Sequence, residues 1–234
     1  MPRSIPKDRI PQLLEAGTAV FIAQGYRRTQ MEDVAHALGV AKGTLYGYVE
    51  SKEALFHAAL LYADEKGPLP EHLELPFPTP PAEATLELVR QRLARDLKAV
   101  ASLMAEADPT SRNPEAAFES LIRRLFEQMS RGRRATKLLD ACAPDQPELF
   151  DVWCGNARAA QLALLARHFE RSFESGTLRA LPNAEVAARL FYETIAFWAI
   201  HRHWDSLQDL ASDEDAEAVV IAVLTRGFLS GSGR

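Results

Sequence analysis

Nearly every segment of this chain longer than ten residues repeats its apolar side chains three and four positions apart, and none convincingly alternates them in steps of two. That periodicity selects helices over strands, so an all-α fold is expected. The first helix should begin near Pro6, whose fixed φ suits a helix start, with Ile10, Leu13, Leu14, Gly17, Val20 and Phe21 as its apolar stripe. Gly25 is placed to end it in the left-handed C′ conformation. Thr29 with Glu32 three residues on reads as a capping box for a short second helix that turns Val34, Ala35 and Leu38 inward. Gly39 breaks that helix, a third is expected over 41–49, and Ser51 caps a fourth that buries Leu55, Phe56, Ala59 and Leu60.

Residues 67–81, GPLPEHLELPFPTPP, carry too much proline for a helix to propagate. They are expected to form an extended, stiff junction between two domains, 6–66 and 82–230. Beyond it the pattern is that of a helical bundle. One helix buries Leu86, Val89, Leu93, Leu97, Val100 and Met104. A second, from Pro114, buries Phe118, Leu121, Ile122, Leu125 and Met129. A short basic piece at 133–141 leads into a long helix from 148 to about 175 that Gly176 stops. Asn183 caps the next, which carries Ala187, Phe191, Thr194, Ile195 and Trp198. Ser212 caps the last, with Ala216, Val219, Val220, Val223, Leu224 and Phe228 as its stripe, and 230–234 is expected to be a disordered tail.

Composition narrows the classes further. The 234 residues are 47% hydrophobic and 25% charged, ordinary for a globular protein, and hold no run of about 20 apolar residues such as a membrane span needs. The N-terminus lacks the apolar core of a secretion signal, and Cys142 and Cys154 make no CxxC pair, so a cytoplasmic setting is expected. The formal net charge is −5, unevenly spread. Residues 1–52 hold seven Lys/Arg against five Asp/Glu, a local +2, which leaves −7 for the rest. A basic head on an acidic body suits a localised contact with DNA rather than a chain that coats it.

The informative stretch is Leu38-Gly39-Val40-Ala41-Lys42-Gly43-Thr44-Leu45-Tyr46-Gly47-Tyr48-Val49. Two short helices joined by a Gly-containing turn make a helix-turn-helix, whose second helix can enter the major groove. Gly43 permits close approach to DNA, Thr44 offers a hydroxyl to phosphate or base, Tyr46 and Tyr48 offer phenols, and Lys42 and Lys52 stand where phosphates would lie. Together with Ser51-Lys52-Glu53-Ala54-Leu55-Phe56, and with Phe21, Gly25-Tyr26, Thr29 and Val34-Ala35 before it, this run closely resembles the TetR family signature over roughly 6–62. The resemblance implies an N-terminal three-helix head and a C-terminal helical body for ligand binding and dimerisation. It implies phosphate contacts from Thr29, Gln30, Tyr46, Tyr48 and Lys52, with Lys42, Gly43 and Thr44 facing base edges or sugar-phosphate. Two positions depart from the pattern: Ala41 replaces a common Ser that would cap the helix, and Gly47 replaces a bulkier residue, which should loosen the reading helix.

The resemblance also implies a homodimer through the last two helices, roughly 184–204 and 213–230, so that two heads read a palindromic operator. The final helix is apolar around much of its girth, with Ile221 and Leu229 off the main stripe, as an interface would require. Met104, Phe118, Met129, Trp153, Phe169, Phe173, Phe197 and Trp198 are candidates for the pocket of a small-molecule effector, although residues of these types at helical spacing also serve as ordinary core. No metal site is expected, since His201 and His203 at i,i+2 do not share a helix face. No cofactor is expected, and no catalytic constellation or phosphate loop is present to suggest an enzyme. The expected function is ligand-released repression of transcription. The alternative is an all-helical interaction module whose helix-turn-helix no longer binds DNA.

Overall fold

A computed structural model describes residues 9–64, 74–107, 112–207 and 210–230, except the side chains of 156 and 157. The expected helix start at Pro6, the first part of the proline-rich junction and the tail beyond 230 lie outside the described residues. Eleven α-helices are described: α1 (Ile10–Gln24), α2 (Met31–Leu38), α3 (Lys42–Leu45), α4 (Lys52–Tyr62), α5 (Ala84–Glu106), α6 (Pro114–Arg131), α7 (Arg133–Cys142), α8 (Pro147–Phe150), α9 (Arg158–Glu174), α10 (Ala184–Ala199) and α11 (Asp213–Phe228). Among the described residues extended pairing is limited to two isolated bridges, so the fold is all-α. The long helix expected from 148 is interrupted. Between α8 and α9 the backbone widens into π-helical turns over Asp151–Ala157, a stretch that contains Gly155.

The chain divides into two compact units. The first comprises Met1–Gln91 with Arg134–Trp153, so it takes in α1–α4, the start of α5, α7 and α8. Its core joins Leu13, Leu14 and Phe21 of α1 to Val34, Leu45, Leu55 and Phe56, all at most 7% exposed. Phe21, Tyr26 and Phe56 form an aromatic trio with ring centroids 5.1–5.9 Å apart. Two glycines set the turns. Gly25 closes α1 at φ 79°, and a Cβ there would meet Asp145 Oδ2 at 2.9 Å. Gly39 sits at φ 70°, ψ 34°, with its N–H bonded to His36 O and that of Val40 to Ala35 O, a Schellman ending for α2.

α7, distant in sequence, is bolted to this unit through polar contacts. Asp64, just past α4, accepts the backbone N–H groups of Arg134 and Ala135 at 3.0 and 3.3 Å, and so caps α7 from outside its own segment. Arg134 also pairs with Glu15 at 2.5 Å. The buried Cys142 thiol points at Phe21 O, and burial, aided by Asp145, pushes its pKa up to about 12, which leaves it inert at neutral pH.

The second unit comprises Arg92–Arg133 and Cys154–Arg234. Here α10 packs on α6, α9 and α11. Phe118, Phe169, Phe191 and Phe228 meet at its centre, Phe169 lying 5.3 Å from both Phe191 and Phe228. Asn183 and Ser212 cap α10 and α11 as expected, accepting from Val186 N at 2.9 Å and Asp215 N at 3.0 Å. One expectation for α11 is reversed. Ile221, read as lying off the stripe, is core at 7% exposure, whereas Val219 and Val223 are 59% and 58% exposed.

The start of α11 is held by a charged cluster. Asp213 accepts from Arg133 Nη2 at 2.6 Å and from the buried Arg202, which also donates to Trp198 O and Ala211 O. His203 Nε2 lies 3.1 Å from Asp213 Oδ1. Burial alone would raise the Asp213 carboxyl, but Arg133 and then Arg202 hold it below its ordinary value of 3.8. Burial, then the charges of Arg133 and Arg202, depress His203 below 6.5. Both groups therefore favour the fold in their deprotonated forms, and both contributions are lost on acidification. Stability should fall as pH drops below about 6.5, where His203 charges first in the unfolded chain, and again in the carboxylate range. Urea unfolding of the wild type and His203→Gln between pH 7.5 and 5 checks this, the variant showing a shallower decline. Parallel profiles would remove His203 from the account.

Candidate nucleic-acid interface

α3 is a single helical turn. Ala41 opens it without a side-chain cap, its carbonyl accepting from Thr44 N at 2.8 Å. After Leu45 the chain continues in tight turns, Gly47 N bonding to Thr44 O and Tyr48 N to Leu45 O. This is shorter than the expected 41–49, and Gly47, with its weak helix preference, falls where the helix gives out. Leu45, Tyr48 and Val49 are at most 2% exposed and anchor the turn from behind. Its outward side is left to Lys42, Gly43, Thr44 and Tyr46, all exposed, with Tyr46 at 43%. A Cβ built on Gly43 would meet nothing within 4 Å, so that point of the backbone is open to a partner.

Three of the expected contact residues have other employment. Thr29 is fully buried and donates its hydroxyl to Gly25 O at 2.7 Å. The cap of α2 therefore moves one residue along: Gln30 is the N-cap, and Asp33 rather than Glu32 reaches back to its N–H at 2.9 Å. Tyr48, 2% exposed, is core. Lys52 donates inward to Tyr26 O and Thr29 O at 3.1 and 3.2 Å, and its ammonium sits 4.5 Å from the Tyr26 ring centre. It staples the α1–α2 turn to α4. For Thr29, Tyr48 and Lys52 the expected phosphate contact is corrected to a scaffold role. Gln30 remains exposed, beside two exposed cations, Arg27 and Arg28, that the motif reading passed over. Their adjacency to the turn in sequence was the available signal.

The turn itself is braced from both sides. Asp145 Oδ2 accepts Arg27 N at 2.8 Å. Tyr26 donates its hydroxyl to Glu53 at 3.1 Å, and burial together with Glu53's charge raises the phenol, keeping it a donor. Lys42 lies 4.0 Å from Glu32 in an exposed pair of little energetic weight, so its ammonium is available to a phosphate.

Of the eight aromatic and Met candidates for an effector pocket, seven lie in the second unit and one in the first. Trp153 belongs to the first unit, where it donates to Asp140 at 2.8 Å. Phe118 and Phe169 are fully packed, Met104 is buried, Met129, Phe173 and Trp198 pack on the core, and Phe197 is 41% exposed. A cleft of about 480 Å³ lies instead in the first unit, lined by Tyr26, Glu53, Phe56, Pro81, Leu86 and Leu149 among others.

Residues 13–59 match the model of the tetR family of bacterial regulatory proteins. Over this stretch the chain is similar to the tetR family. Two curated relatives share it: the HTH-type transcriptional regulator YhgD of Bacillus subtilis, 45% identical over 49 residues, and the HTH-type transcriptional repressor DhaR of a Mycobacterium species, 45% identical over 42. These alignments span 21% and 18% of this chain and 26% and 21% of those relatives. These matches fall in the head, and the chain spans about a quarter or less of the length of those relatives. In fold alone, the chain is similar to the ketosteroid transcriptional regulator KstR2 of Mycobacterium tuberculosis, which superposes with a TM-score of 0.59 at 16% identity over 96% of each chain.

Lys52 and Lys42 lie in the same head with opposite tasks, which makes them a matched pair for experiment. Lys52→Met should cost about 1.5–3 kcal/mol of stability, the usual worth of hydrogen bonds from a charged donor. Lys42→Met should stay within about 0.5 kcal/mol of wild type, as exposed positions do. Chemical denaturation followed by circular dichroism distinguishes them, and equal stabilities would contradict the staple.

Proposed function

We propose that this chain is a transcriptional regulator, acting as a repressor, that reads palindromic operator DNA as a homodimer and is released by a small-molecule effector. The carrying observation is the one-turn α3, fixed from behind by Leu45, Tyr48 and Val49 and presenting Lys42, Gly43, Thr44 and Tyr46 outward, in a head matched to the tetR family. Small side chains let the backbone come close to base edges, while Arg27, Arg28 and Lys42 supply charge for phosphates. The head is assigned to 6–66 and the ligand-binding and dimerising body to 82–230. The setting would be the cytoplasm, where operator DNA is found; no helix among the described residues is long and apolar enough to cross a membrane.

Dimerisation is supported by apolar side chains left in water. On α10, Val186, Leu190 and Phe197 are 65%, 59% and 41% exposed, and α11, packed beside it, adds Val219 and Val223. The spacings 186, 190, 197 and 219, 223 each keep to one helix face. Burying both stripes against a second copy removes that surface from water and sets two heads on a twofold axis. For the effector, the cleft in the first unit has the volume of small-molecule sites, about 300–1,000 Å³, and is walled by Tyr26, Glu53 and Phe56 of the head. A ligand that prefers one arrangement of those walls shifts affinity for DNA by that preference alone.

Selection of duplexes from a random pool by the purified protein should return two inverted half-sites. Thr44→Ala and Tyr46→Ala should each weaken the selected duplex by about 1–3 kcal/mol without loss of stability. An interaction module without DNA affinity would enrich nothing. Leu190→Glu with Val223→Glu should give a folded monomer by sedimentation velocity; a dimer that survives both charges would place the interface elsewhere.

A further inference from the structure

Reading DNA through α3 does not require residues 76–81 to touch the head, yet they are bonded to it at the point where the reading turn ends. Phe77 bridges Val49 in parallel, with Glu50 N donating to Phe77 O at 3.0 Å and Phe77 N to Tyr48 O at 2.7 Å. Thr79 N donates to Glu50 Oε2 at 2.8 Å, and the Thr79 hydroxyl to Ser51 Oγ at 2.9 Å. The Phe77 ring is 9% exposed and lies 6.3 Å from that of Tyr62 on α4. In the run Pro76-Phe77-Pro78-Thr79-Pro80-Pro81 just two residues possess a backbone N–H, and both donate to this turn. The four prolines fix φ, so the segment docks with little conformational freedom left to lose. Immediately beyond Thr79, Pro80, Pro81 and Ala82 form a wall of the cleft, and Thr85 on α5 bonds His57 of α4 at 3.0 Å.

We infer that residues 77–79 are a positioning strap. They set the pose of the turn that presents Lys42, Gly43, Thr44 and Tyr46, and they transmit displacements of the cleft wall at 80–86 to that turn by a route other than α4. The inference rests on the DNA-reading function proposed above. Stiff proline segments carry displacement along their length, and the strap's bonds end on Tyr48, Glu50 and Ser51, within five residues of Tyr46, the last of the reading side chains.

The test compares affinity for the duplex selected by the wild type with affinity for a scrambled duplex of the same length. Phe77→Ala should lose about tenfold on the selected duplex, the range in which residues remote from a ligand modulate coupling. It should leave the scrambled duplex unchanged while lowering the melting temperature, as loss of a buried ring does, and Phe77→Leu should restore selective binding. Without DNA, amide exchange at Glu50 should quicken in Phe77→Ala. Glu50→Ala and Glu50→Gln provide a charge-matched pair: both remove one negative charge, but only Gln retains an oxygen for Thr79, so Glu50→Ala should bind the selected duplex more weakly. If Phe77→Ala fails to fold, this exposed pair decides by itself, equal affinities overturning the strap. Equal losses on both duplexes would reduce Phe77 to a stability residue and also overturn it. A wild type that binds no duplex at low salt would instead defeat the DNA reading, and the strap with it.

Discussion

A helix of four residues makes too few backbone bonds to offset the cost of nucleating itself, so α3 has no shape of its own to present. Its pose is the pose of whatever lies behind it. Leu45 and Val49 are wholly buried and Tyr48 nearly so, and Gly39 in the left-handed region aims the chain from α2 into the turn. Behind these, Lys52 fastens the preceding turn through the carbonyls of Tyr26 and Thr29. The consequence for function is a division of labour within the eight residues 42–49. Every side chain that holds the turn faces inward, and the outward face can be made of small groups that add nothing to stability and leave the backbone approachable.

That support reaches far along the chain. Asp145, 118 residues from Arg27, accepts its N–H and stands where a side chain on Gly25 would have to go. Asp64 caps α7, and Cys142 meets Phe21. Each such bond contributes about 1 kcal/mol net, modest singly, but all converge on the ends of α1 and α4. The first compact unit is therefore more than a helix-turn-helix. It contains the reading turn, a brace made from α7 and the turn after it, and a cleft lined by Tyr26, Glu53 and Phe56 together with that later turn.

What could be read from the sequence follows from the range of each interaction. Caps at Ser51, Asn183 and Ser212 are decided within three residues and were legible, as was the break at Gly39; Gly25 ends α1 at positive φ but with ψ 171°, not in the left-handed helical conformation expected of it. The cap at Thr29 was misplaced by one because its hydroxyl had a competing acceptor, Gly25 O, that only the folded turn supplies. Lys52 and Tyr48 are amphipathic, and nothing local tells whether their polar ends face water or the interior. On α11, apolar nearly all round, neighbouring stripes differ by a small rotation, and packing alone chose Ile221 over Val219 for the core. The long-range contacts of Asp64, Asp145 and Phe77 have no local signature at all.

The same scaffold determines how the head can attract DNA. Counted from composition, residues 1–52 offer seven cations. Lys52 is committed to two carbonyls, and among the described residues of that span Arg9, Arg27, Arg28 and Lys42 are left exposed. Phosphate neutralisation from so few charges supplies modest affinity, and the net −5 of the chain opposes the rest. A second head doubles the charge and the contacts without enlarging either one, which is where the exposed Val186, Leu190, Phe197, Val219 and Val223 acquire their significance. In the proposed dimer, pairing two such stripes would remove apolar surface from water and, in the same act, bring two weak readers to one operator.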